Sequence, residues 1–165
     1  MLIQVDTFEQ LDFYGLMDVY IEGNRENAEY FYGGEAQERA LQLATIDALA
    51  YLREDFFKKP GARSYIWQEA GEYTSALRVE YFEDGLLLEA LETRPDLRRM
   101  GYGQKLMTAV LAQLPKGTHV YSHVAKWNTP SLAIHSACGF LRYLDYSVDS
   151  DGTISNDHVT FKVTV

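Results

Sequence analysis

Residues 88–111 read LEALETRPDLRRMGYGQKLMTAVL, and this segment holds the pattern that decides the fold. A strand that ends near Thr93 runs through a proline-containing loop into Arg98-Arg99-Met100-Gly101-Tyr102-Gly103, where a helix is expected to begin. The N–H groups at a helix N-terminus lack partners and lie at the positive end of the helix dipole, so this turn suits an anion. The two glycines let a ligand approach these amides closely, and the two arginines add charge-assisted contacts to a phosphate. We therefore predict a phosphate site here, with a surface helix cap as the plainer alternative.

Two common phosphate-binding motifs do not fit this turn. A P-loop needs Gly-Lys-Ser or Gly-Lys-Thr after a glycine and four residues, and the segment lacks that pattern. A dinucleotide-binding fingerprint needs a third glycine where Leu106 stands, and a β-α-β context in place of the antiparallel strands expected upstream. The expected ligand is therefore a pyrophosphate carried by another kind of molecule.

Hydrophobic periodicity predicts a mixed α/β chain around this segment. Strands are expected at residues 2–5, 64–68, 74–82, 86–93, 119–125, 141–148 and 158–165. Helices are expected from Asp6 or Thr7 to Glu22 and at residues 35–57, 97–114 and 129–137. Asn24 is expected in the connection between the first two of them. Short turns make the strands between residues 64 and 93 an antiparallel meander. The order β-α-α-β-β-β-α-β-α-β-β predicts one central sheet in a single domain, residues 1–165.

Composition narrows the class of protein and its partners. The chain has 165 residues and a formal charge of −9, which argues against nucleic acid as a partner and is compatible with a cationic substrate. The single cysteine, Cys138, excludes an internal disulfide and a cysteine-rich zinc site, and we expect no metal. The sequence has no signal-peptide pattern and no apolar run of the roughly 20 residues that a membrane span requires. We therefore expect a soluble, cytoplasmic protein without a membrane partner.

Two motifs resemble those of the GNAT superfamily of acetyl-CoA-dependent N-acetyltransferases. Residues 98–103, RRMGYG, are similar to the family's Q/R-x-x-G-x-G/A acyl-CoA signature. Residues 128–140, NTPSLAIHSACGF, resemble its downstream motif of Asn, a small residue, Tyr and a closing Gly-Phe. The resemblance implies an α/β (α+β) fold with a mixed, mostly antiparallel sheet of about seven strands and about four flanking helices. It also implies that the two central strands, residues 86–93 and 119–125, splay apart.

The same resemblance implies which residues hold acetyl-CoA. The pantetheine arm would enter the gap between the central strands and pair with the backbone of Leu91, Glu92 and Thr93. The pyrophosphate would bind beside Arg98 and Arg99, on the amides of Met100, Gly101, Tyr102, Gly103 and Gln104. The residues that would lie near the coenzyme on its other side are Asn128 and Ser131.

The resemblance implies direct transfer of an acetyl group to a primary amine in a ternary complex, and this reaction needs a base. An amine with a pKa near 10.4 is neutral in only about one part in two thousand at pH 7. Glu89 and Glu92 are the candidates on residues 86–93, expected on opposite faces of the strand, and Glu89 stands where related enzymes often carry Glu. His123, on the facing strand, is a third candidate.

His135 departs from the family pattern, because family members commonly carry Tyr there as the general acid for the leaving thiolate. A neutral imidazole still donates one N–H, provided that a partner sets its tautomer. Two interpretations stay open: an enzyme with His135 as its acid, or a weakly active or non-catalytic acyl-CoA-binding or regulatory module. A nucleotide-binding enzyme is a third interpretation.

The resemblance also implies an acceptor pocket that is built largely by the helix pair and the last two strands. The aromatic and acidic residues expected there, which would suit a cationic amine, are Tyr14, Tyr30, Phe31, Tyr32, Tyr143, Tyr146, Glu22, Glu26 and Glu29. A homodimer is a further prediction, through the wide apolar stripe of the helix at 35–57 or through the edge of the last strand.

Overall fold

The computed structural model describes residues 1–149 and 151–165, and its centre is a seven-stranded sheet. The strands in chain order are β1 (Leu2–Val5), β2 (Arg63–Glu69), β3 (Glu72–Phe82), β4 (Gly85–Thr93), β5 (His119–Ala125), β6 (Leu141–Leu144), β7 (Ser147–Val148), β8 (Ile154–Ser155) and β9 (His158–Thr164). The sheet order is β1-β2-β3-β4-β5-β9-β6, and β7 pairs separately with β8. Each neighbouring pair is antiparallel except β4 with β5, which is parallel. The predicted seven-stranded, mostly antiparallel sheet is confirmed.

The described residues form five α-helices, one more than expected. They are α1 (Phe13–Val19), α2 (Ile21–Tyr32), α3 (Gln37–Glu54), α4 (Tyr102–Gln113) and α5 (Thr129–Ala137). The helix predicted from Asp6 or Thr7 to Glu22 is wrong. Asp12 starts α1 by accepting a hydrogen bond from the Gly15 N–H at 3.1 Å, and the chain breaks again at Tyr20. Asn24 lies inside α2 rather than between helices, where its amide donates to the Thr45 hydroxyl at 2.9 Å.

Helices cover both faces of the sheet because its central strands are apolar on both sides. Leu77 and Leu88 pack against Leu106 and Met107 of α4 on one face. On the other face, Ile66 and Ala76 belong to a second apolar cluster with residues of α1 and α3. No helix in the described ranges is both long and apolar enough to cross a bilayer.

Two further expectations are corrected at the ends of elements. The helix predicted from residue 97 begins at Tyr102, because Pro95–Leu97 forms a separate 3-10 turn. The last strand, β9, lies between β5 and β6 instead of at an edge, so it offers no open edge to a second copy of the chain.

Candidate active site

A cleft opens between β4 and β5 at the centre of the sheet. In the described chain, their pairing is confined to Leu86 with Val120 and Leu87 with Tyr121, although β4 continues to Thr93. Beyond these pairs, β4 stays bonded to β3 and β5 to β9. The edge of β4 that faces β5 therefore presents backbone groups with no strand partner to another molecule. The predicted splay of the central strands is confirmed.

One extra residue interrupts β4 beside this cleft. Arg78 of β3 lies opposite Glu89, and Ala76 lies opposite Glu92, so a step of two residues on β3 matches a step of three on β4. Ala90 is within this step and has a left-handed φ of 53°. This geometry is that of a β-bulge, which rotates the side chains that follow it.

The bulge places Glu89 and Glu92 on the same face of β4. Leu88 and Leu91, which flank the extra residue, both pack in the core beside α4. Both carboxylates therefore point to the opposite side, towards α1, α2 and α3. The prediction that Glu89 and Glu92 lie on opposite faces is wrong, because regular alternation does not continue through a bulge.

The glycine turn after β4 leads into α4. Gly101 precedes the helix with a left-handed φ of 82°, which a side chain would strain. The N–H of Lys105 bonds to the Gly101 carbonyl at 2.9 Å. The amides of residues 102–104 precede that first helical bond and have no acceptor within the helix, so they remain available to an anion.

Gly103 allows the start of α4 to approach the end of β4. A Cβ atom at this position would lie 3.2 Å from the Thr93 hydroxyl oxygen and 3.5 Å from the Cδ1 of Ile134 in α5. The first distance is short for a Cβ contact, and the second is an ordinary van der Waals contact. The open amides of α4 are thus held next to the end of the cleft.

The two arginines of the turn have different surroundings. Arg98 pairs with Glu22 of α2 at 2.5 Å and donates to the Thr93 carbonyl at 3.3 Å, so its charge is directed towards α2. Arg99 is exposed, has a φ of 64°, and forms no ion pair within residues 1–149 and 151–165. Of the two, Arg99 has the charge that is free to meet a phosphate.

The second motif builds the start of α5. Asn128 caps this helix, because its side-chain oxygen accepts a hydrogen bond from the Ser131 N–H at 3.2 Å. The Ser131 hydroxyl lies 3.3 Å from Nδ1 of His135 one turn later. Asn128 and Ser131 therefore hold the helix end together, on the side of the sheet that carries α4.

His135 is buried, with 1 % of its surface exposed. Its Nδ1 lies 2.7 Å from the Ser131 carbonyl oxygen, which can only accept, so the ring proton sits on Nδ1. Nε2 then accepts from the Ser122 hydroxyl of β5 at 2.8 Å. Burial lowers the pKa of His135, which keeps the ring neutral. This geometry does not support His135 as the general acid, because its one ring proton, on Nδ1, is donated to the Ser131 carbonyl and Nε2 carries none.

A cavity of about 360 Å³ lies between the helices α1, α2 and α3 and the strands β3 and β4. Its volume is in the range of small-molecule sites. The aromatic and charged side chains in its wall are Tyr20, Phe31, Asp47, Tyr51, Arg78 and Glu92. Tyr20 also fixes the bulge, because its hydroxyl donates to the Ala90 carbonyl at 2.8 Å.

Glu92 is a carboxylic acid of the cavity wall with a strongly perturbed acidity. Burial raises the pKa of Glu92 from 4.5 to about 7. Arg98 opposes this rise in pKa, and the carboxylates of Glu26 and Glu22 add to it. A carboxyl group with a pKa near 7 exchanges protons readily at neutral pH.

The other two candidate bases have partners. Glu89 lies 3.4 Å from the guanidinium of Arg78. His123 lies 3.7 Å from Asp149 and packs edge-on against the ring of Phe82 at 5.5 Å, and burial lowers its pKa. Among the described residues, neither of these two side chains is part of the cavity wall.

Most of the expected acceptor residues do not converge on this cavity. Phe31 lines it, but Tyr14 and Tyr30 are largely exposed on their helices. The residues that sequence reasoning missed are Tyr20, Tyr51 and Arg78. Helical spacing places Tyr20 and Tyr51 on apolar stripes, which indicates burial but not a shared cavity.

A comparison with family models matches residues 24–140 to the acetyltransferase (GNAT) family. The chain belongs to this family. A comparison with curated protein sequences finds no match for the chain.

Solved structures share the GNAT fold at low sequence identity. The ribosomal-protein-S18-alanine N-acetyltransferase from Escherichia coli aligns with a TM-score of 0.60 and 15% identity, over 100% of this chain and 94% of that chain. The PaiA N-acetyltransferase from Thermoplasma acidophilum, in complex with coenzyme A, aligns with a TM-score of 0.62 and 12% identity, over 100% and 99%. A streptothricin acetyltransferase described as putative, from Bacillus anthracis in complex with acetyl coenzyme A, has a TM-score of 0.51 and 11% identity, over 68% and 67%.

The residues of this GNAT chain suit the coenzyme of its family. The free edge of β4 offers backbone groups to the amides of a pantetheine arm, and the open N-terminus of α4 suits a pyrophosphate. The close contact at Gly103 joins these two features at the end of the cleft.

Proposed function

We propose that the whole chain, residues 1–165, acts as one N-acetyltransferase domain that moves the acetyl group of acetyl-CoA to a primary amine. The observation that carries this proposal is Glu92, whose pKa burial raises to about 7 in the wall of a cavity beside the cleft. The cavity volume of about 360 Å³ favours a small-molecule amine over a folded protein acceptor. The proposal includes acetyl-CoA as the acetyl donor. It also includes a cytoplasmic location, where the thiol of the single cysteine, Cys138, stays reduced.

The reaction proceeds by direct attack in a ternary complex. The ammonium group of the acceptor gives a proton to Glu92, and the neutral amine forms an N–C bond with the acetyl carbonyl carbon. The C–S bond breaks, and the excess proton that remains on the nitrogen passes through water to the departing thiolate of coenzyme A, so the products are the amide and the free thiol. Glu92 then returns its proton to solvent. Glu92 is the preferred base because its pKa is near neutral pH, where proton transfer in both directions is easiest. Glu89, on the same face, is the second candidate, and His123 is the third.

The coenzyme is assigned to the α4 side of the cleft. The backbone of Leu91, Glu92 and Thr93 would pair with the pantetheine arm. The amides from Met100 to Gln104 would hold the pyrophosphate, with Arg99 as the free charge beside them. Asn128 and Ser131 would support this side by fixing the start of α5.

His135 is assigned a positioning role, because it joins Ser122 of β5 to Ser131 of α5. A thiol has a pKa near 8.5, so its thiolate leaves near neutral pH with limited help from an acid. The same geometry favours a second candidate function, an acyl-CoA-binding module of little or no activity. The position where the family usually carries its acid is occupied here by His135, which is buried and has no free proton to donate.

Two measurements test these proposals in sequence. Calorimetry with acetyl-CoA, with coenzyme A and with NAD should give binding of the first two only. Release of free thiol across a panel of small amines should then identify an enzyme. Absence of coenzyme A binding refutes both candidate functions, and binding without thiol release for any amine favours the second candidate. Glu92→Gln should lower turnover strongly, and Glu35→Gln, at an exposed position outside the site, serves as its control.

A further inference from the structure

Arg78 is a positive charge in the wall of a cavity that otherwise carries acidic and aromatic side chains. It is the one basic side chain among the described residues that line the cavity, which also include Asp47 and Glu92. Its guanidinium lies over the rings of Tyr51 and Phe56, 5.1 Å from each ring centre. These contacts keep the planar group in one orientation.

The hydrogen-bonding capacity of Arg78 is largely unused. Its nearest acid is Glu89, whose Oε1 lies 3.4 Å from one terminal nitrogen, longer than an ordinary charged hydrogen bond. Within the described parts of the chain, neither Arg78 Nε nor Glu89 Oε1 has a hydrogen-bond partner, and both atoms are buried. Buried polar atoms normally have partners, so Arg78 and Glu89 satisfy each other incompletely. Within the described residues the Arg78 side chain donates no hydrogen bond of ordinary length, and because Arg78 lines the cavity, its guanidinium is available to a ligand.

We propose that the acceptor of this enzyme is a small amino acid, whose carboxylate binds Arg78 and whose amine faces Glu92. This inference rests on the proposed N-acetyltransferase function and names its substrate class. A planar guanidinium with free donors is the side chain best suited to bind a carboxylate. A zwitterion also suits a wall in which one cation stands beside two carboxylates, because it brings one charge of each sign.

The spacing of the two charged residues sets the separation of amine and carboxylate. Glu92 lies opposite Ala76, and Ala76 is two residues from Arg78 on β3, which is about 7 Å along the strand. This short backbone spacing favours a compact acceptor, in which amine and carboxylate lie close together as in α- and β-amino acids. A long diamine would instead bring its second positive charge towards Arg78.

The rest of the wall indicates the side chain of this amino acid. Met17, Tyr20, Phe31 and Leu52 contribute apolar surface to the cavity. On the sheet the wall carries Arg78 and Glu92, and on the helices it also carries the polar side chains of Asn24, Asn27 and Asp47. An amino acid with an apolar or aromatic side chain would place its charged end on the sheet and its side chain among the helices.

Matched pairs of acceptors test the proposal. Phenylalanine is compared with phenethylamine, and methionine with 3-(methylthio)propylamine, by thiol release and by the mass of the product. The amino acid of each pair should have a kcat/KM at least about 10-fold higher, as expected for a charged hydrogen bond that only it can form. Equal or better use of the plain amines overturns the proposal and leaves the acetyltransferase function intact.

Substitution of Arg78 assigns the effect to this residue. Arg78→Gln should lower kcat/KM for the amino acid by about 10- to 100-fold and reduce its advantage over the amine. Arg78→Lys keeps the charge that balances Glu89 and controls for a loss of folding. Arg53→Gln removes an exposed arginine on α3 outside the cavity and should leave the ratio unchanged.

Direct binding separates this proposal from the proposed function. Calorimetry with phenylalanine and the protein saturated with coenzyme A should give binding that Arg78→Gln abolishes, whether or not acetyl transfer occurs. No binding of either amino acid, or binding that Arg78→Gln does not weaken, overturns the proposal. Failure of acetyl-CoA to bind would instead refute the acetyltransferase function.

Discussion

Replacing Glu92 with glutamine tests the consequence of burying this carboxyl group. On folding, burial raises the pKa of Glu92 from 4.5 to about 7. Between these values the folded protein keeps a proton that the unfolded chain releases, so the free energy of unfolding falls as pH rises from about 4.5 to 7. At about 1.4 kcal/mol per pH unit, the ionised group costs about 3 kcal/mol above pH 7. Solvent around the exposed part of the side chain reduces this cost to about 2 kcal/mol.

Glutamine has nearly the same shape and no charge, so Glu92→Gln should be more stable than wild type at alkaline pH. We expect a difference of about 2 kcal/mol at pH 8 and little difference at pH 5. Urea unfolding followed by tryptophan fluorescence measures this difference as a shift of about 1 M in the midpoint. The same variant should lose at least about 100-fold in kcat/KM with its best amine, because it has no base.

Two results would refute this reasoning. A stability difference of the same size at pH 5 and pH 8 would mean that the carboxyl group does not titrate between these values. Full activity of Glu92→Gln would remove Glu92 from the role of base. Glu35→Gln, which removes an exposed carboxylate, should give neither effect.

Three further substitutions test the neighbours of the cleft. Arg98→Gln removes the positive charge that lowers the pKa of Glu92, so the acidic limb of the kcat/KM profile should move to higher pH; an unmoved limb contradicts this coupling. His135→Ala leaves the Ser122 hydroxyl without its hydrogen-bond acceptor and should lower the free energy of unfolding by about 3 kcal/mol, as measured with urea. His135→Asn should lower it less, and equal losses would mean that packing alone matters. Arg99→Gln should raise the Kd for coenzyme A about 3- to 10-fold in calorimetry at low salt. That effect should shrink at high salt, and a salt-independent loss would indicate damage to the turn instead of a lost charge.

The parts of the fold that depend on local patterns could be predicted from the sequence. β5 and α5 begin and end at the predicted residues, because alternation and an Asn cap define them locally. The first helix was predicted to end at Glu22, and most of α2 was missed, since residues 23–32 are largely polar and bury only Asn24 and Ala28. Asn24 was expected in a connection, but its hydrogen bond to Thr45 of α3 makes it a buried helical residue.

The candidate site depends more on tertiary structure than on pattern. The glycine turn and the Asn128 cap could be predicted from the sequence, because each is formed by backbone groups of neighbouring residues. The shared face of Glu89 and Glu92 depends on the bulge, which needs the pairing with β3 to be visible. Arg78 has no local signature at all, since a charged residue in a strand usually faces solvent.

The extra residue at Ala90 also limits how this protein can diverge. Inserting one residue into β3 between Ala76 and Arg78 would match the three-residue step of β4 and restore regular alternation, turning Glu92 towards α4 and Leu91 into the cavity. The coenzyme side and the acceptor side would then exchange their chemistry in one step. Opposite the bulge, related proteins can therefore differ from this one by substitution but not by an insertion in β3, and a change of acceptor has to arise by substitution in the cavity wall.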